Sequence, residues 1–192
     1  MPRAGLTPER VAEAAADLAD AVGLENVTIS ALARSFGVAD ASLYSHVKNI
    51  RDLRERVAFR AASDFADRIT AAVAGRAGRD ALIAFANAYR DFALAHPGRY
   101  AATHIEIDPE LAAQSSGGAR IIAATYAVFH AYGLAEPDLT DAVRLLRSTF
   151  HGYVSLEAIG AFRDPREVQA SWDRGVNALA TLLENWPSAA AD

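Results

Sequence analysis

An all-α fold is predicted by three observations. Alanine, the strongest helix former, supplies 44 of the 192 residues. Apolar residues recur at intervals of three and four along almost the whole chain. No stretch alternates apolar and polar residues for long enough to build a sheet. The length and a formal net charge of −5 suit one compact domain or two small ones. Cysteine is absent, which excludes disulfides, thiolate metal sites and cysteine nucleophiles together. The longest uncharged apolar stretch, residues 121–135, is interrupted by His130 and falls short of the roughly 20 residues that cross a bilayer. The opening residues, MPRAGLTPER, lack the apolar core of a signal peptide. A soluble cytoplasmic protein with no membrane partner is therefore expected.

The first helix starts at Thr7, a capping residue followed by Pro8 at the first helical position, and carries Val11, Ala15, Leu18 and Val22 on one face before Gly23. Thr28 caps a second, short helix through Phe36, ended by Gly37, and a third follows from Asp40 to His46. A long fourth helix is expected over about residues 49–74, with Leu53, Val57, Ala61, Phe65, Ile69 and Val73 spaced by four. After a joint at 75–78, Leu82, Phe85, Tyr89, Phe92 and His96 mark a fifth helix, which Pro97-Gly98 ends. The piece THIEIDPELA stays undetermined, and Ser115–Gly118 reads as a loop before a helix through Ile122, Tyr126 and Phe129 to about Gly133. Pro137 opens a helix reaching Ala161 with two apolar lines: Leu139, Val143, Leu146, Phe150 and Val154 on one side, and Leu145, Thr149, Gly152, Leu156 and Ile159 on the other. A last helix, about Arg166–Asn185, carries Val168, Trp172, Val176, Leu179 and Leu183. Helices apolar on two sides need partners on two sides, so these two are the candidate subunit interface, with Leu145, Leu156, Ile159, Trp172, Val176 and Leu179 as its residues. The alternative is that both helices lie in a monomer's core.

The informative stretch is TISALARSFGVADASLYSHVKNIRDL, Thr28 to Leu53, which has the spacing of a helix-turn-helix. Leu32 and Ala33 face the first helix, Gly37 permits the tight turn, and Val38 and Leu43 anchor the second short helix. Ala39, Asp40, Ala41 and Ser42 are short enough to let that helix approach a groove floor, while Tyr44, His46 and Lys48 can reach phosphates. Between Thr28 and Arg51 the charges are Arg34, Lys48 and Arg51 against Asp40, a local balance of +2 within an acidic chain, and Lys48 is the only lysine. Gly37-Val38, Leu43-Tyr44, His46-Val47 and Leu53 stand at the intervals of the TetR family of transcriptional repressors, and the chain resembles that family over Leu6 to Val57. Phe150-His151-Gly152 is similar to the Trp-His-Gly signature of one of its subgroups.

The resemblance implies a helix-turn-helix DNA-binding domain at 1–48 and a helical effector-binding and dimerisation domain at 49–187. It implies phosphate contacts from Thr28, Tyr44, His46 and Lys48, and base-edge or groove contacts from Ser30, Asp40, Ala41 and Ser42. The implied partners are an operator duplex, a second copy of the chain and a small apolar or aromatic effector that releases a repressor from its pseudopalindromic operator. One departure is Ile50, which stands where the family usually has a lysine, so either Lys48 and Arg51 supply that charge or affinity is lower. Asp40 is a second point, because a carboxylate near DNA costs electrostatic energy unless it accepts from a cytosine amino group.

Phe85, Tyr89, Phe92, Tyr126, Phe129 and Phe150 read first as core and secondly, with His151, as the wall of an effector pocket. Glu157 is a further polar candidate there. The rival class is a helical enzyme or metal-binding bundle using His151, Glu157 and His104. Against it, no HExxH, P-loop, GxGxxG after a strand or GxSxG occurs, so neither catalysis, a metal nor a cofactor is expected. A third reading is a ligand-binding or partner-binding module that has lost DNA recognition, suggested by Ile50 and Asp40.

Overall fold

The computed structural model describes residues 6–113 and 115–187, and these contain ten α-helices and no strand. The helices are α1 (Pro8–Val22), α2 (Ile29–Phe36), α3 (Asp40–Leu43), α4 (Ile50–Val73), α5 (Gly78–Ala95), α6 (Pro97–Ala102), α7 (Pro109–Ala113), α8 (Ser116–His130), α9 (Asp138–Ala158) and α10 (Val168–Glu184), with a 3₁₀ turn at Leu24–Asn26. None of them is long and apolar enough to cross a membrane. The chain packs as two compact units, one running through Phe65 and taking in Ala95–Ala119, the other formed by Ala66–Leu94 and the residues from Arg120 onward. The boundary read from the sequence at 48/49 marks the start of α4 and is a different division from these packing units.

In the first unit, Val11, Ala15 and Ala19 of α1 meet Leu32, Leu43, Val47, Leu53 and Val57 in a closed apolar core. The Thr7 hydroxyl caps α1 by accepting from the Arg10 amide, as Thr7-Pro8 predicts. Pro97-Gly98 is not only a stop: α5 ends at Ala95 and Pro97 opens α6, the first-turn position at which its missing N–H costs nothing. Gly98 lets α6 lie against α1, since a Cβ there would fall 2.0 Å from the Ala19 carbonyl carbon. Arg99, 8% exposed, fixes that contact. Its amide donates to Asp20 Oδ1 at 2.8 Å, and its guanidinium donates to Asp20 and to Asp17 Oδ1 at 2.7 Å. His96, expected on an apolar line, instead faces Asp20, with Nδ1 3.0 Å from Oδ2. Beyond α6, Ile105 and Ile107 pack on the same core.

The expected loop at Ser115–Gly118 is helical from Ser116, the first residue of α8. Of the glycines that suggested a loop, Gly117 serves packing: a Cβ there would lie 2.6 Å from the Ser63 amide nitrogen of α4.

In the second unit, Phe85, Tyr89, Phe150 and Trp172 form a continuous aromatic core, with centroids 5.5 Å apart for Tyr89–Phe150 and 5.4 Å for Phe150–Trp172. Arg90, also 8% exposed, lies over Trp172 and makes a two-bond fork with Glu157, 2.7 and 2.6 Å. The hydrogen bonds that Arg90 donates to Glu157 raise its pKa against the opposing effect of burial. α9 ends at Ala158 and α10 starts at Val168, so both helices are shorter than their apolar lines suggested. The two lines do separate: Leu146, Phe150 and Val154 of α9 are buried, whereas Leu145 and Leu156 of α9 and Ile159 just past its end are exposed.

Candidate nucleic-acid interface

The sequence Thr28-to-Leu53 folds locally for readable reasons. Thr28 Oγ1 accepts from the Ala31 amide at 3.1 Å and caps α2, leaving its own hydroxyl proton available to a further acceptor. Gly37 closes α2 in the left-handed region, φ 66°, and the Val38 amide donates back to the Ala33 carbonyl at 3.1 Å, completing a Schellman-type end. The chain then turns sharply into α3, which has one α-helical turn, Asp40–Leu43. The expected extension to His46 is a turn instead, held by bonds from the His46 and Val47 amides to the Leu43 carbonyl. That turn drops Val47 into the core beside Leu43.

The remaining side chains stand outside. Thr28, Ser30, Asp40, Ala41, Ser42 and Lys48 are exposed, and His46 is half-buried. Tyr44 is 56% exposed, which gives little weight to a core role for its ring. The Ser30 hydroxyl, on α2, donates to Asp40 Oδ2 at the start of α3. Lys48 is held at its backbone, where its amide donates to Asp52 Oδ2 at 2.8 Å while Asn49 Oδ1 accepts from the Asp52 amide at 2.9 Å. These two bonds cap the start of α4 and tie the Lys48 backbone to it. Asn49 followed three residues later by Asp52 is a legible signal for it, one that apolar periodicity passes over. Ile50 is the first residue of α4 and 37% exposed. Arg51 is beside it but shares its charge with Glu55, 3.0 Å away.

The second unit holds the other expected site residues. Phe85, Tyr89, Phe92, Phe129 and Phe150 are buried and pack on one another or on neighbouring side chains, whereas Tyr126 is 41% exposed and His151 is exposed. The structure therefore gathers most of the aromatic set in the core and leaves Tyr126 and His151 outside it. Tyr126 lines a separate shallow groove with His130, Leu134 and Leu139. Of the expected interface residues, Leu145, Leu156 and Ile159 are exposed, but Trp172 and Val176 are each 2% exposed, and Trp172 packs in the chain's own core against Phe150 and Tyr153. They reach the outside only as the floor of an apolar groove of about 310 Å³, which Thr149, Gly175, Ala178, Leu179 and Leu182 complete. Beside it, the Tyr153 hydroxyl donates to the Val168 carbonyl at 3.1 Å, and burial, helped by Glu157, pushes its pKa up.

Two residues of the enzyme reading, Glu157 and His104, are engaged elsewhere. Glu157 serves Arg90, and the His104 ring packs edge-on against Tyr100 in the first unit, centroids 4.7 Å apart. Among the described residues no three His, Asp or Glu side chains gather in a way that would hold a metal ion.

Two family models match. One, described as bacterial regulatory proteins of the tetR family, covers residues 11–57, and the other, a tetracyclin repressor-like C-terminal domain, covers residues 82–179. Neither singles out the subgroup that Phe150-His151-Gly152 suggested. The uncharacterized HTH-type transcriptional regulator Rv0681 of Mycobacterium tuberculosis is 38% identical over 165 residues, 84% of this chain and 74% of that protein. The uncharacterized HTH-type transcriptional regulator YobS of Bacillus subtilis is 31% identical over 185 residues, 96% of each. Among solved structures, a TetR variant from Acinetobacter baumannii AYE in complex with minocycline superposes with a TM-score of 0.69 at 19% identity, covering 96% of this chain and all of that one.

Proposed function

The chain belongs to the TetR family of bacterial transcriptional regulators, and from that premise we propose that it is a homodimeric repressor that leaves a pseudopalindromic operator when a small apolar or aromatic molecule binds. The observation that carries the DNA-binding part is the exposed set on a rigid frame. Ser30 on α2, Asp40, Ala41 and Ser42 on α3, and Tyr44 and Lys48 in the turn that follows stand outside a closed core, with both ends of α2 fixed by the Thr28 cap and the Gly37 turn. In this reading Thr28, Tyr44, His46 and Lys48 hold phosphates, and the short side chains at the start of α3 meet base edges. Ile50 brings no charge to the backbone, and Arg51 is shared with Glu55, so Lys48 carries more of the phosphate attraction than it would beside a second lysine.

The dimer is supported by the outward apolar residues Leu145 and Leu156 of α9 and Ile159 just past its end, and by the groove edged by Leu179 and Leu182. Gly175 and Ala178 are small enough to let a partner helix approach closely there. Two reading heads then meet successive major grooves about 34–36 Å apart. The effector enters by the likeness to the minocycline-bound protein and by the buried aromatic cluster of Phe85, Tyr89 and Phe150. It acts by favouring a head separation that does not fit the operator, and by linkage the duplex weakens its binding equally.

Competition of a selected duplex against random duplex over a range of salt concentrations tests the proposal. A preference for the selected duplex that survives increasing salt is expected. Equal binding to both at every salt concentration removes the operator, and no binding to either removes the DNA-binding role.

A further inference from the structure

The hydrogen bond between Ser30 and Asp40 determines what this reading head can accept from a base. Resting on the DNA-binding role proposed above, we infer that Ser30 and Asp40 form an acceptor-only reader that selects a cytosine amino group in each half-site. A serine hydroxyl has one proton, and here it is given to Asp40 Oδ2. What Ser30 still shows to its surroundings is lone pairs. The Asp40 carboxylate has only acceptor capacity, and one bond from Ser30 uses a fraction of its roughly four lone-pair sites. Both residues are exposed, one on α2 and one opening α3, so the elements that form the helix-turn-helix converge on a patch that accepts and does not donate.

The four bases answer such a patch differently. In the major groove guanine shows two acceptors, N7 and O6, and thymine shows O4 beside a methyl group, so both place lone pairs against lone pairs. Adenine offers its N6 amino group but sets the N7 acceptor next to it. Cytosine alone offers an amino donor with no acceptor of its own beside it. The carboxylate also repels neighbouring phosphates, a cost borne on every duplex and recovered only where the amino group is present. Asp40 thereby lowers affinity for random DNA and raises discrimination. The open question over this residue resolves toward specificity, because Ser30 holds the carboxylate in place.

Selection of bound duplexes from a random pool by the full chain, repeated with Asp40→Asn and Ser30→Ala, tests this. Asparagine keeps the shape, removes the charge and adds a donor, so it can pair with adenine N6 and N7. The wild type is expected to enrich cytosine at one position per half-site, and Asp40→Asn to shift that position alone toward adenine. The change in base preference should be roughly 5- to 150-fold, the range that one good base contact supplies, with binding to random duplex equal or tighter. Ser30→Ala should blur the cytosine preference at the same position. Guanine or thymine there in the wild type, an unchanged preference in Asp40→Asn, or a uniform loss of binding to all duplexes overturns the inference and leaves DNA binding standing. A wild-type pool that enriches nothing overturns the DNA-binding role and this inference with it.

Discussion

Replacing Gly98 with alanine puts one methyl group between two helix backbones. The added carbon would lie 2.0 Å from the Ala19 carbonyl carbon, 2.1 Å from its oxygen and 2.5 Å from the Asp20 amide nitrogen. None of these atoms belongs to a side chain that can swing away. Restoring ordinary contact, which begins near 3.4 Å, requires α6 and α1 to separate by about 1.4 Å. The same displacement stretches the 2.8 Å bond from the Arg99 amide to Asp20 beyond hydrogen-bonding range and loosens a buried guanidinium from its carboxylates. Overpacking costs about 1–3 kcal/mol and a lost buried hydrogen bond about 1–3 more, together roughly 2–6 kcal/mol. For a chain of this length that is a fall in Tm of roughly 4–24 °C. Calorimetry on Gly98→Ala measures it, and Gly118→Ala is the control, because nothing lies within 4 Å of a Cβ at that position. A Gly98→Ala protein melting within a degree of the wild type would refute the backbone-to-backbone contact between α1 and α6.

Lys48→Ala should weaken binding to every duplex alike and lower the slope of log K against log salt by about 0.9; titration at four or more salt concentrations reads it, and an unchanged slope removes Lys48 from the phosphate contacts. Leu156→Glu should convert the dimer to monomer by placing a charge in an apolar seam, at a cost of about 3–5 kcal/mol, measured by sedimentation; a dimer of wild-type affinity puts the interface elsewhere. Glu184 accepts from Arg79 at 3.0 and 2.6 Å, and these bonds hold its carboxyl below the ordinary value of 4.5. Its contribution to stability is therefore complete above pH 4.5 and is lost as the pH falls through the lower folded value. NMR titration of the Glu184 carboxyl should show the depression in the wild type and its disappearance in Arg79→Gln, and identical titrations would contradict the assignment.

The helix-turn-helix was legible because its signals are local. Thr7-Pro8, Thr28 and Gly37 each act on residues within one turn, and the structure uses all three as caps or ends. α6 was hidden because Pro97-Gly98 reads as a stop, although proline equally well opens a helix and glycine equally well admits a neighbouring backbone. The same ambiguity made Gly117 part of an expected loop. The Arg99 cluster joins residues 79 and 82 positions apart, and nothing in a local pattern announces a partner at that range. On α9 the two apolar lines were visible, and the structure assigns one inward and one outward. On α10 Trp172 and Val176 share the interface-like spacing of Leu179 and Leu182, but a large aromatic ring is drawn to the core by Phe150, Tyr153 and the Arg90 guanidinium. Periodicity shows that a residue is apolar on a face, and only packing shows which body covers it. The Ser30–Asp40 bond was beyond reach for a related reason. Both residues were expected to touch bases, and only their juxtaposition shows that one consumes the other's proton.

Hydroxyl-radical footprinting of the native protein on a duplex it has selected tests the central claim most directly. Two protected patches are expected on one face of the helix, related by inverted symmetry and centred about 34–36 Å apart. A single patch, or none at protein concentrations that saturate the duplex, would contradict a pair of identical subunits reading consecutive grooves.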